Sequence, residues 1–412
     1  MEHNVDVAVV GGGIAGGSLA VALAREGLSV IVLEPTLAHR DCVRGENLMP
    51  WGVKEARALG VEGIFREAGA KVGTKWKQYA EGTGQPDELD LSEMVEGIPG
   101  TLKLRHPEAC EALLSAASAY GATVVRGVRD LKVKPGHPAG AYYDCSGEGD
   151  CSGEGAVSAS LVVGADGRAS TVRRQAGVTL HRQQPVCLSS GLLVAGLQEV
   201  PEDFDVIAYE SDLLLALFHL GDGRARAYLF HGLSWRRRFA GTDAARRFLD
   251  ACDLSCLPWG RAIAAGKVAG PCATYSGDDT WTDAPYAEGM VLVGDAAGYN
   301  DPVLGQGLAI ALRDARIVRD LVLAGARGPE AFITYGQERS QRMGCLRLVA
   351  DIIAVTNIEQ ADNRAARRAY FADFVAAEGS TFHPLLRGAF AGPETVPADL
   401  VCADLVESIR QA

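Results

Sequence analysis

The strongest constraint on the fold is a glycine-rich turn near the start of the chain. An apolar, β-branched run, VDVAVV at 5–10, predicts a buried strand, and it leads at once into a turn with Gly11, Gly13 and Gly16. The first glycine permits a tight turn, the second lets the backbone approach a pyrophosphate, and the third lets a helix pack closely on the strand. This order predicts a dinucleotide site.

The elements after the turn strengthen this prediction. A helix from about 14 to 26, which begins with Ile14 and Ala15, would direct its unpaired N–H groups and partial positive charge at the phosphates. The next strand, SVIVLE, ends in Glu34, followed by Pro35. There a carboxylate can accept hydrogen bonds from adenosine ribose hydroxyls. Together these elements form one β-α-β unit.

Two distant segments favour a flavin over a nicotinamide dinucleotide. In the first, VGADGRAS, Asp166 and Gly167 follow an apolar strand, and the second, GDAAGYNDPVLGQGL, begins with Gly294 and Asp295. An aspartate just beyond a strand can accept from a ribityl hydroxyl, and a glycine-rich helix start offers N–H groups to the negative pole of a reduced flavin. We expect five residues of the second segment at the flavin: Pro302, Gly305, Gln306, Gly307 and Leu308.

In order and approximate spacing, these three motifs resemble those of the single-component flavoprotein aromatic hydroxylases, the family typified by para-hydroxybenzoate hydroxylase. The resemblance covers roughly residues 4–325. It implies FAD as cofactor and NAD(P)H as a transient electron donor. It further implies that reduced FAD and O₂ form a C4a-hydroperoxide, which hydroxylates or epoxidises a small organic substrate. We expect an aromatic or polyketide-like metabolite.

The resemblance also implies roles for single residues. Glu34 would hold the adenosine ribose, Asp295 the ribityl chain, and Asp166 would lie near the cofactor. Arg44, in the segment RGEN, would lie near the flavin and the pyrophosphate, and Arg105 would contact FAD from across the domain. The flavin environment in which the reaction occurs would thus be formed by Arg44, Pro302 and Gly305.

Two positions depart from the family pattern. Gly298 stands where the family often has His, and Leu308 stands where it often has Asn. Neither change affects the FAD prediction, but both weigh against an ordinary phenol hydroxylase. No second nucleotide-binding unit for NAD(P)H is predicted, which agrees with a family whose nicotinamide binds transiently.

The middle of the chain supplies candidate substrate contacts. The runs LLLALFHL and RARAYLFH, joined by GDG, predict a β-hairpin. A phenolic substrate needs a base or hydrogen-bond acceptor at its hydroxyl, and the candidates on this sheet are Tyr209, His219, Tyr228 and His231. For each of them, a role confined to the sheet is the alternative.

We predict an α/β architecture with three parts. A Rossmann-type FAD-binding domain would be formed by residues 1–75, 100–182 and 271–330. A mixed or antiparallel sheet for the substrate would be inserted into it by residues 76–99 and 183–270. A helical C-terminal region would follow at 331–412.

Composition disfavours several kinds of partner. The formal net charge of −12 argues against binding to nucleic acid or to anionic lipid. No apolar run of about twenty residues predicts a membrane span, and without a signal-peptide pattern at the start we expect a cytoplasmic protein. The expected partners are the substrate and O₂, with a homodimer and a separate flavin reductase left open.

The ten cysteines lack the spacing of a zinc site, so no metal is predicted. Most of them are expected to be reduced thiols. The repeat CSGEGDCSGEG, with Cys145 and Cys151, reads as the tip of a hairpin.

Three other functions stay open. A flavin-dependent halogenase would need a W-x-W-x-I-P motif, which none of the five tryptophans forms. A reductase of the geranylgeranyl-reductase type shares similar motifs, including the segment at 44–47, and would differ by not consuming O₂. A non-catalytic flavin-fold binding protein is the third alternative. The presence of both distant motifs weighs against it, because such a protein would not need them for chemistry.

Overall fold

The computed structural model describes residues 2–82, 85–146, 152–235, 238–359, 362–377, 384–401 and 404–412. Its helices are α1 (Ile14–Arg25), α2 (Pro50–Leu59), α3 (Glu62–Glu67), α4 (His106–Ala119), α5 (Thr171–Gln175), α6 (Ala244–Ala251), α7 (Gly260–Ala264), α8 (Gly307–Leu323), α9 (Ile333–Asn357), α10 (Arg364–Ala377), α11 (Pro384–Ala391) and α12 (Asp404–Gln411).

The strands follow the same chain order. They are β1 (Glu2–Val10), β2 (Val30–Glu34), β3 (Asn47–Leu48), β4 (Lys71–Gly73), β5 (Lys75–Ala80), β6 (Asp87–Asp90), β7 (Thr101–Lys103), β8 (Thr123–Arg126), β9 (Val128–Lys134), β10 (Ala139–Ser146), β11 (Ser152–Gly164), β12 (His181–Arg182), β13 (Cys187–Ala195), β14 (Asp205–Glu210), β15 (Leu213–Gly221), β16 (Arg224–Gly232), β17 (Lys267–Val268), β18 (Ala273–Gly277), β19 (Thr280–Trp281), β20 (Tyr286–Ala287) and β21 (Met290–Leu292).

The first sheet brings the three motifs together. Its order is β20-β21-β11-β1-β2-β8, with β10 paired to β11 and β9 paired to β10. The strands β2, β1, β11 and β21 are parallel neighbours. Their apolar runs are buried on both sides, since Val7 and Val9 enter one core cluster while Ala8 and Val10 enter another. Because β1, β11 and β21 end at the same edge, the three glycine-rich segments that follow them are neighbours.

The second sheet is the predicted mixed sheet. Its order is β17-β13-β16-β15-β14-β5-β6, with β18 also paired to β13. The pairs are antiparallel except β14 and β5, which run parallel. The strands β15 and β16 form the predicted hairpin, and its turn uses positive φ at Asp222 (57°) and Gly223 (64°), as hairpin turns require.

The two faces of this sheet enter different cores. One face, with Leu215 and Leu229, packs on Phe248 of α6. The other face contributes Phe218 and Tyr228 to the large cluster of the first domain. This alternation follows from the period of two along a strand. The face with Phe218 and Tyr228 therefore lies toward the first domain.

The C-terminal part of the chain is helical, as predicted, and consists mainly of α9 to α12. The apolar segment at 345–358 lies in α9, where Leu346, Val349, Ile352 and Val355 are buried in the same large cluster. Among the described residues, no helix has both the length and the apolarity needed to cross a membrane.

One predicted domain boundary needs correction. The strand β18 pairs with β13 in the second sheet, although residues from 271 onward were assigned to the FAD-binding domain. Its partner lies some eighty residues earlier, so the sequence gives no local sign of the pairing. In the third motif, α8 begins at Gly307, because Gly305 adopts a positive φ of 69° and ends a separate short helix, Pro302–Leu304.

The cysteines agree with the expectation that most are reduced, with one exception. Cys145 is disulfide-bonded, whereas seven other described cysteines are free thiols. The hairpin of β10 and β11 carries Cys145, and Cys151 with the rest of the predicted tip lies outside the described residues.

A buried ion pair ties the second sheet to the small sheet β3-β7-β4. Lys103 Nζ on β7 lies 3.0 Å from Asp205 Oδ1 on β14, and their side chains are 2% and 0% exposed. Thr101 Oγ1 donates to Asp205 Oδ2 at 2.9 Å. Burial raises the pKa of Asp205, while Lys103 opposes that shift. The carboxylate therefore depends on Lys103 for its charge balance.

We predict that Lys103→Met lowers the free energy of unfolding by about 3–5 kcal/mol, because it leaves the buried Asp205 charge without its partner. Urea unfolding followed by circular dichroism measures the change. The double substitution Lys103→Met with Asp205→Leu removes both charges and is expected to recover most of the loss. A single variant as stable as the wild type would show that the pair contributes nothing to the interface.

Candidate functional site

The turn after β1 leaves space at one glycine only. A Cβ on Gly11, whose φ is +99°, would lie 2.5 Å from the carbonyl oxygen of Ala165, and a Cβ on Gly16 would lie 2.0 Å from the carbonyl oxygen of Gly11. A Cβ on Gly13 meets nothing within 4 Å. The first and third glycines are therefore required by packing, and the second borders open space at the start of α1, where a pyrophosphate can approach.

Glu34 is fixed at the end of β2 with acceptor capacity to spare. Its Oε2 accepts the N–H of Gly12 at 2.7 Å, and its Oε1 accepts the N–H and the hydroxyl of Thr36 at 2.8 and 2.6 Å. A carboxylate offers about four acceptor positions. One position therefore stays available to a ribose hydroxyl, as predicted for this residue. Pro35, which follows, is exposed.

The aspartate of the second motif holds its own segment together. Asp166 accepts from the Ser170 hydroxyl at 2.5 Å and from the N–H groups of Thr171 and Val172 at 2.6 and 3.1 Å, and so caps α5. Gly167 follows with a φ of +72°. Because three donors of its own segment occupy Asp166, its contribution to a cofactor site is the shape of this turn.

Arg173 joins the second motif to the third. Its Nη1 donates to the carbonyl oxygen of Ala296 at 2.9 Å, and its Nη2 donates to that of Arg168 at 3.0 Å. The guanidinium of Arg168 lies 3.6 Å from the ring centre of Tyr299. These contacts fix the ends of β11 and β21 relative to each other.

Asp295 presents an acceptor that the protein does not use. In the part of the chain that the structure describes, no group donates to its carboxylate. Burial raises the pKa of Asp295, and the charges of Arg168, Arg44 and Arg339 oppose that shift. This carboxylate suits a hydroxyl-bearing chain such as the ribityl group.

Gly298 has a structural reason to replace the family's His. Its φ is +136°, and a Cβ there would lie 2.5 Å from the carbonyl oxygen of Thr280 and 2.8 Å from Trp281 Cα. No side chain fits at this close approach of two backbone segments. The departure thus reflects how the segment at 280–281 packs on this loop.

Arg339 of α9 holds the backbone of the third motif through hydrogen bonds. Its guanidinium donates to the carbonyl oxygens of Gly294, Ala297 and Gly298 at 3.1, 3.1 and 2.9 Å. It also pairs with Asp314 at 2.9 Å, and Asp314 accepts the N–H of Gly294 at the same distance. Sequence reasoning missed both residues, because a charged residue inside a long helix is usually solvated and nothing local marks its partner.

Gln306 fastens the turn between β21 and α8. Its Oε1 accepts from Trp51 Nε1 at 2.8 Å, and its Nε2 donates to the carbonyl oxygens of Leu304 and Ala389 at 2.7 and 3.1 Å. The amide thereby joins the turn to α2 and α11. The Gln306 side chain is buried. At the next residue, by contrast, a Cβ on Gly307 would meet nothing within 4 Å. The start of α8 thus combines a fixed turn with open space.

Leu308 and Gly305 lie beside the segment at 44–49. Leu308 is buried, with Cγ 3.7 Å from where a Cβ on Gly45 would lie. A Cβ on Gly305 would lie 3.2 Å from Met49 Cε. The apolar Leu308 therefore fills a contact between α8 and this segment.

The two predicted arginines differ in what they offer. Arg44 is exposed, lies 6.0 Å from the ring centre of Tyr275 and has no carboxylate partner among the described residues. Arg105 Nη1 is held by Glu46 Oε1 at 3.0 Å and by Asp41 Oδ2 at 3.3 Å. Arg44 is therefore available to an anionic ligand, and Arg105 supports the segment that carries it.

The four candidate substrate residues do not lie together. Tyr228 and Tyr209 belong to the face that enters the large cluster. His231 lies on the opposite face, where its Nε2 is 3.0 Å from the Ser190 hydroxyl and its ring contacts Phe239. Strand alternation separates His231 from Tyr228, since their positions differ by an odd number.

His219 borders a different space. It lines a cavity of about 310 Å³ with Lys71, Lys103 and Glu202, and burial lowers its pKa to about 4. None of these residues belongs to the three motifs. Among the described residues, no group of three or more His, Cys, Asp or Glu side chains can hold a metal ion.

The observations fit a bound FAD. Open backbone at Gly13, spare acceptor capacity at Glu34 and the available Asp295 carboxylate lie along one sheet edge, and Arg44 is close enough to Asp295 to influence its pKa. The pattern of the family described as FAD binding domain matches residues 4–213. The chain belongs to this family. It is an FAD-dependent enzyme of the flavoprotein monooxygenase type.

Two relatives match most of the chain in sequence, and a third matches a short part of it. A 6-methylpretetramide 4-monooxygenase of Streptomyces rimosus is 28% identical over 354 residues, 79% of this chain and 76% of that protein. Digeranylgeranylglycerophospholipid reductase 2 of Methanothermobacter thermautotrophicus is 26% identical over 338 residues, 77% of each. A match to the squalene epoxidase Erg1 of Aspergillus fumigatus is local, with 47% identity over 62 residues, 15% of this chain and 13% of that protein.

A solved structure agrees with this fold. The anhydrotetracycline hydroxylase OxyS from Streptomyces rimosus superposes with a TM-score of 0.71 at 21% identity, covering 94% of this chain and 76% of that chain. At this identity the likeness concerns the fold alone.

We predict that Arg44→Met weakens FAD binding about tenfold to a hundredfold, because it removes the unpaired cation beside an anionic pyrophosphate. Titration of the apoprotein with FAD, followed by flavin fluorescence, measures the dissociation constant. Arg40→Met is the matched control, since Arg40 is also exposed and stands only four residues away. Equal effects of the two substitutions would mean that Arg44 contributes only general charge.

Proposed function

We propose that this enzyme uses NAD(P)H and O₂ to insert one oxygen atom into a small, largely apolar organic molecule. The reaction is hydroxylation or epoxidation, and the substrate is an aromatic or polyketide-like compound. The observation that carries the proposal is a row of aromatic side chains on the face of the second sheet that enters the large apolar cluster.

The row runs across three strands and ends under a helix. The ring centres of Trp76 and Phe218 are 6.0 Å apart, those of Phe218 and Tyr228 are 6.0 Å apart, and those of Tyr228 and Phe230 are 6.5 Å apart. Phe390 of α11 meets Trp76 edge-on at 5.0 Å. Aromatic surfaces of this kind favour flat, apolar ligands through area burial and ring stacking.

The buried cation in this row is neutralised by two carboxylates of the protein. Arg226, two positions before Tyr228 on β16, is 0% exposed and donates to Asp41 Oδ2 at 2.6 Å and Glu46 Oε2 at 2.9 Å. The Tyr228 hydroxyl donates to the carbonyl oxygen of Arg44 at 2.6 Å. Because Arg226 is paired and the Tyr228 hydroxyl is bonded, these two side chains of the row present no net charge to a substrate, which favours a neutral molecule.

Tyr209 supplies a polar group at the edge of the same cluster. It is partly buried, and no protein group of the described chain bonds to its hydroxyl. Burial raises the pKa of Tyr209 to about 12, so the phenol stays protonated at neutral pH. It can donate a hydrogen bond that orients a substrate oxygen.

The chain's own contribution is binding and orientation. FAD, when bound, supplies the redox and oxygen chemistry. The start of α1 and Arg44 would hold the pyrophosphate, Asp295 the ribityl hydroxyls, and the N–H groups at the start of α8 the polar edge of the ring. The apolar cluster around Val303 and Leu304 excludes water from the reaction.

A reductase is the second candidate. The archaeal reductase that matches 77% of this chain is named for a phospholipid with geranylgeranyl chains, and an apolar face would suit such a chain as well. In that case electrons from the cofactor would saturate a double bond, and O₂ would not be consumed. The missing W-x-W-x-I-P motif argues against a halogenase, and the intact cofactor groove argues against a non-catalytic protein.

We predict that the holoenzyme, given NADH or NADPH and a panel of neutral polycyclic phenols under ¹⁸O₂, forms a product with one ¹⁸O atom. One NAD(P)H is consumed for each product, because the second oxygen atom leaves as water. Mass spectrometry and oxygen uptake measure both quantities, and a parallel sample with an added flavin reductase tests whether reduction occurs in this chain. A product that gains two hydrogens and no oxygen in anaerobic buffer would support the reductase instead.

A further inference from the structure

A buried carboxyl lies directly before the turn at Pro302–Gly305, named here the flavin turn. Asp301 is 4% exposed. Its Oδ1 accepts the N–H of Val303 at 2.9 Å and thereby caps the short helix Pro302–Leu304. Neither cofactor binding nor the aromatic row makes use of this group.

The same carboxyl reaches the second sheet. Cys187 Sγ on β13 lies 3.5 Å from Asp301 Oδ1 and 3.3 Å from Oδ2. Cys187 is paired across the sheet with Gly277 of β18. A Cβ on Gly277 would lie 2.9 Å from both Asp301 oxygens and 2.5 Å from Cys187 Sγ. The glycine is therefore what allows the carboxyl to seat against the sheet, and Asp301 joins the sheet to the flavin turn.

The groups that surround Asp301 are mostly acidic. Asp279 comes from the segment before β19, and its Oδ1 accepts from Asn300 Nδ2 at 2.9 Å. Asp351 comes from α9, which also supplies the cation Arg347. Two further neighbours face this region. Asp278, directly after β18, is paired with Arg168 and Arg182, and Tyr299 of the third motif stacks under Arg168.

These surroundings place Asp301 between its two forms at neutral pH. Burial raises the pKa of Asp301 to about 7, the N–H of Val303 and the Cys187 thiol oppose the shift, and the charges of Asp279 and Asp351 add to it. Burial raises the pKa of Asp279 to about 6, and the pKa of Cys187 also lies well above its usual value, first because of burial. The thiol therefore stays a donor.

We propose that Asp301 is a positioning residue for the flavin and that its proton controls how firmly the flavin turn is held. The ionised carboxylate accepts from both Val303 and Cys187 and fixes the turn to the second sheet. The protonated carboxyl is a weaker acceptor, because charge-assisted hydrogen bonds are roughly twice as strong as neutral ones, and it loosens the turn. The consequence for oxygenation rests on the proposed function, whereas the titration itself does not.

The first test measures stability against pH with Asp301→Asn. The folded-state pKa of about 7 lies above the ordinary value of 3.8. The folded protein therefore binds the extra proton between these values, and wild-type stability falls as pH rises from about 4 to 7. Asp301→Asn removes this proton, so its unfolding midpoint should decline less steeply over that window.

The matched control is Asp90→Asn. Asp90 also caps a short helix, by accepting the N–H of Ser92 at 2.9 Å, but it is exposed and its pKa is lowered, first by the Ser92 hydroxyl. Its titration lies below the window, so the slope from pH 4 to 7 should match the wild type. If Asp301→Asn instead lowers the unfolding midpoint by the same amount at every pH, Asp301 is only a helix cap and the proposal is overturned.

The second test follows bound FAD in the holoenzyme. The visible absorbance of the flavin should titrate with a midpoint near pH 7 in the wild type and show no such step in Asp301→Asn. With a substrate that is oxygenated, the variant should match the wild-type rate at pH 6 and be severalfold slower at pH 8. An unchanged flavin titration in the variant overturns the proposal, and because no turnover is needed, this result is separate from a failure of the proposed function.

Discussion

The cofactor site depends on one buried guanidinium. Arg339 donates to three carbonyl oxygens of the loop at Gly294–Gly298, and its partner Asp314 accepts the N–H at the start of that loop. Although burial raises the pKa of Asp314, the charges of Arg339 and Arg342 hold it below its usual range. Because these groups satisfy the backbone of a sharp, glycine-rich turn, the Asp295 carboxylate is left free to face a ligand.

A second buried network links this site to the substrate sheet. Arg226 and Arg105 share the carboxylates of Asp41 and Glu46, and these carboxylates flank Arg44 in sequence. Removal of one member leaves a buried charge without a partner, which costs more than the intact pair contributes. The network therefore fixes the segment that carries Arg44 to both domains, so that cofactor groove and aromatic row keep a constant relation.

The sequence predicted what local patterns encode. The turn at 11–16, the hairpin around GDG and the strand before Gly294 have short-range signals, and the structure confirms them. Long-range pairings were not predictable: Arg339 gives no sign of its role, and Gly298 looked like a departure until its contact with Thr280 explained it. His231 illustrates another limit. A hairpin predicted from sequence can be wrong in register by one residue, and such a shift moves every side chain to the other face of the sheet.

The most direct test of the central claim is a stopped-flow measurement. The holoenzyme is reduced without oxygen by NADH or NADPH and then mixed with oxygenated buffer, while flavin absorbance is followed. An enzyme that shields its flavin inside the apolar cluster around Val303 and Leu304 should show a transient absorbance band before the oxidised spectrum returns, and a suitable substrate should change the lifetime of that band. Direct return of the oxidised spectrum in one step, with and without every substrate tried, would contradict the monooxygenase account.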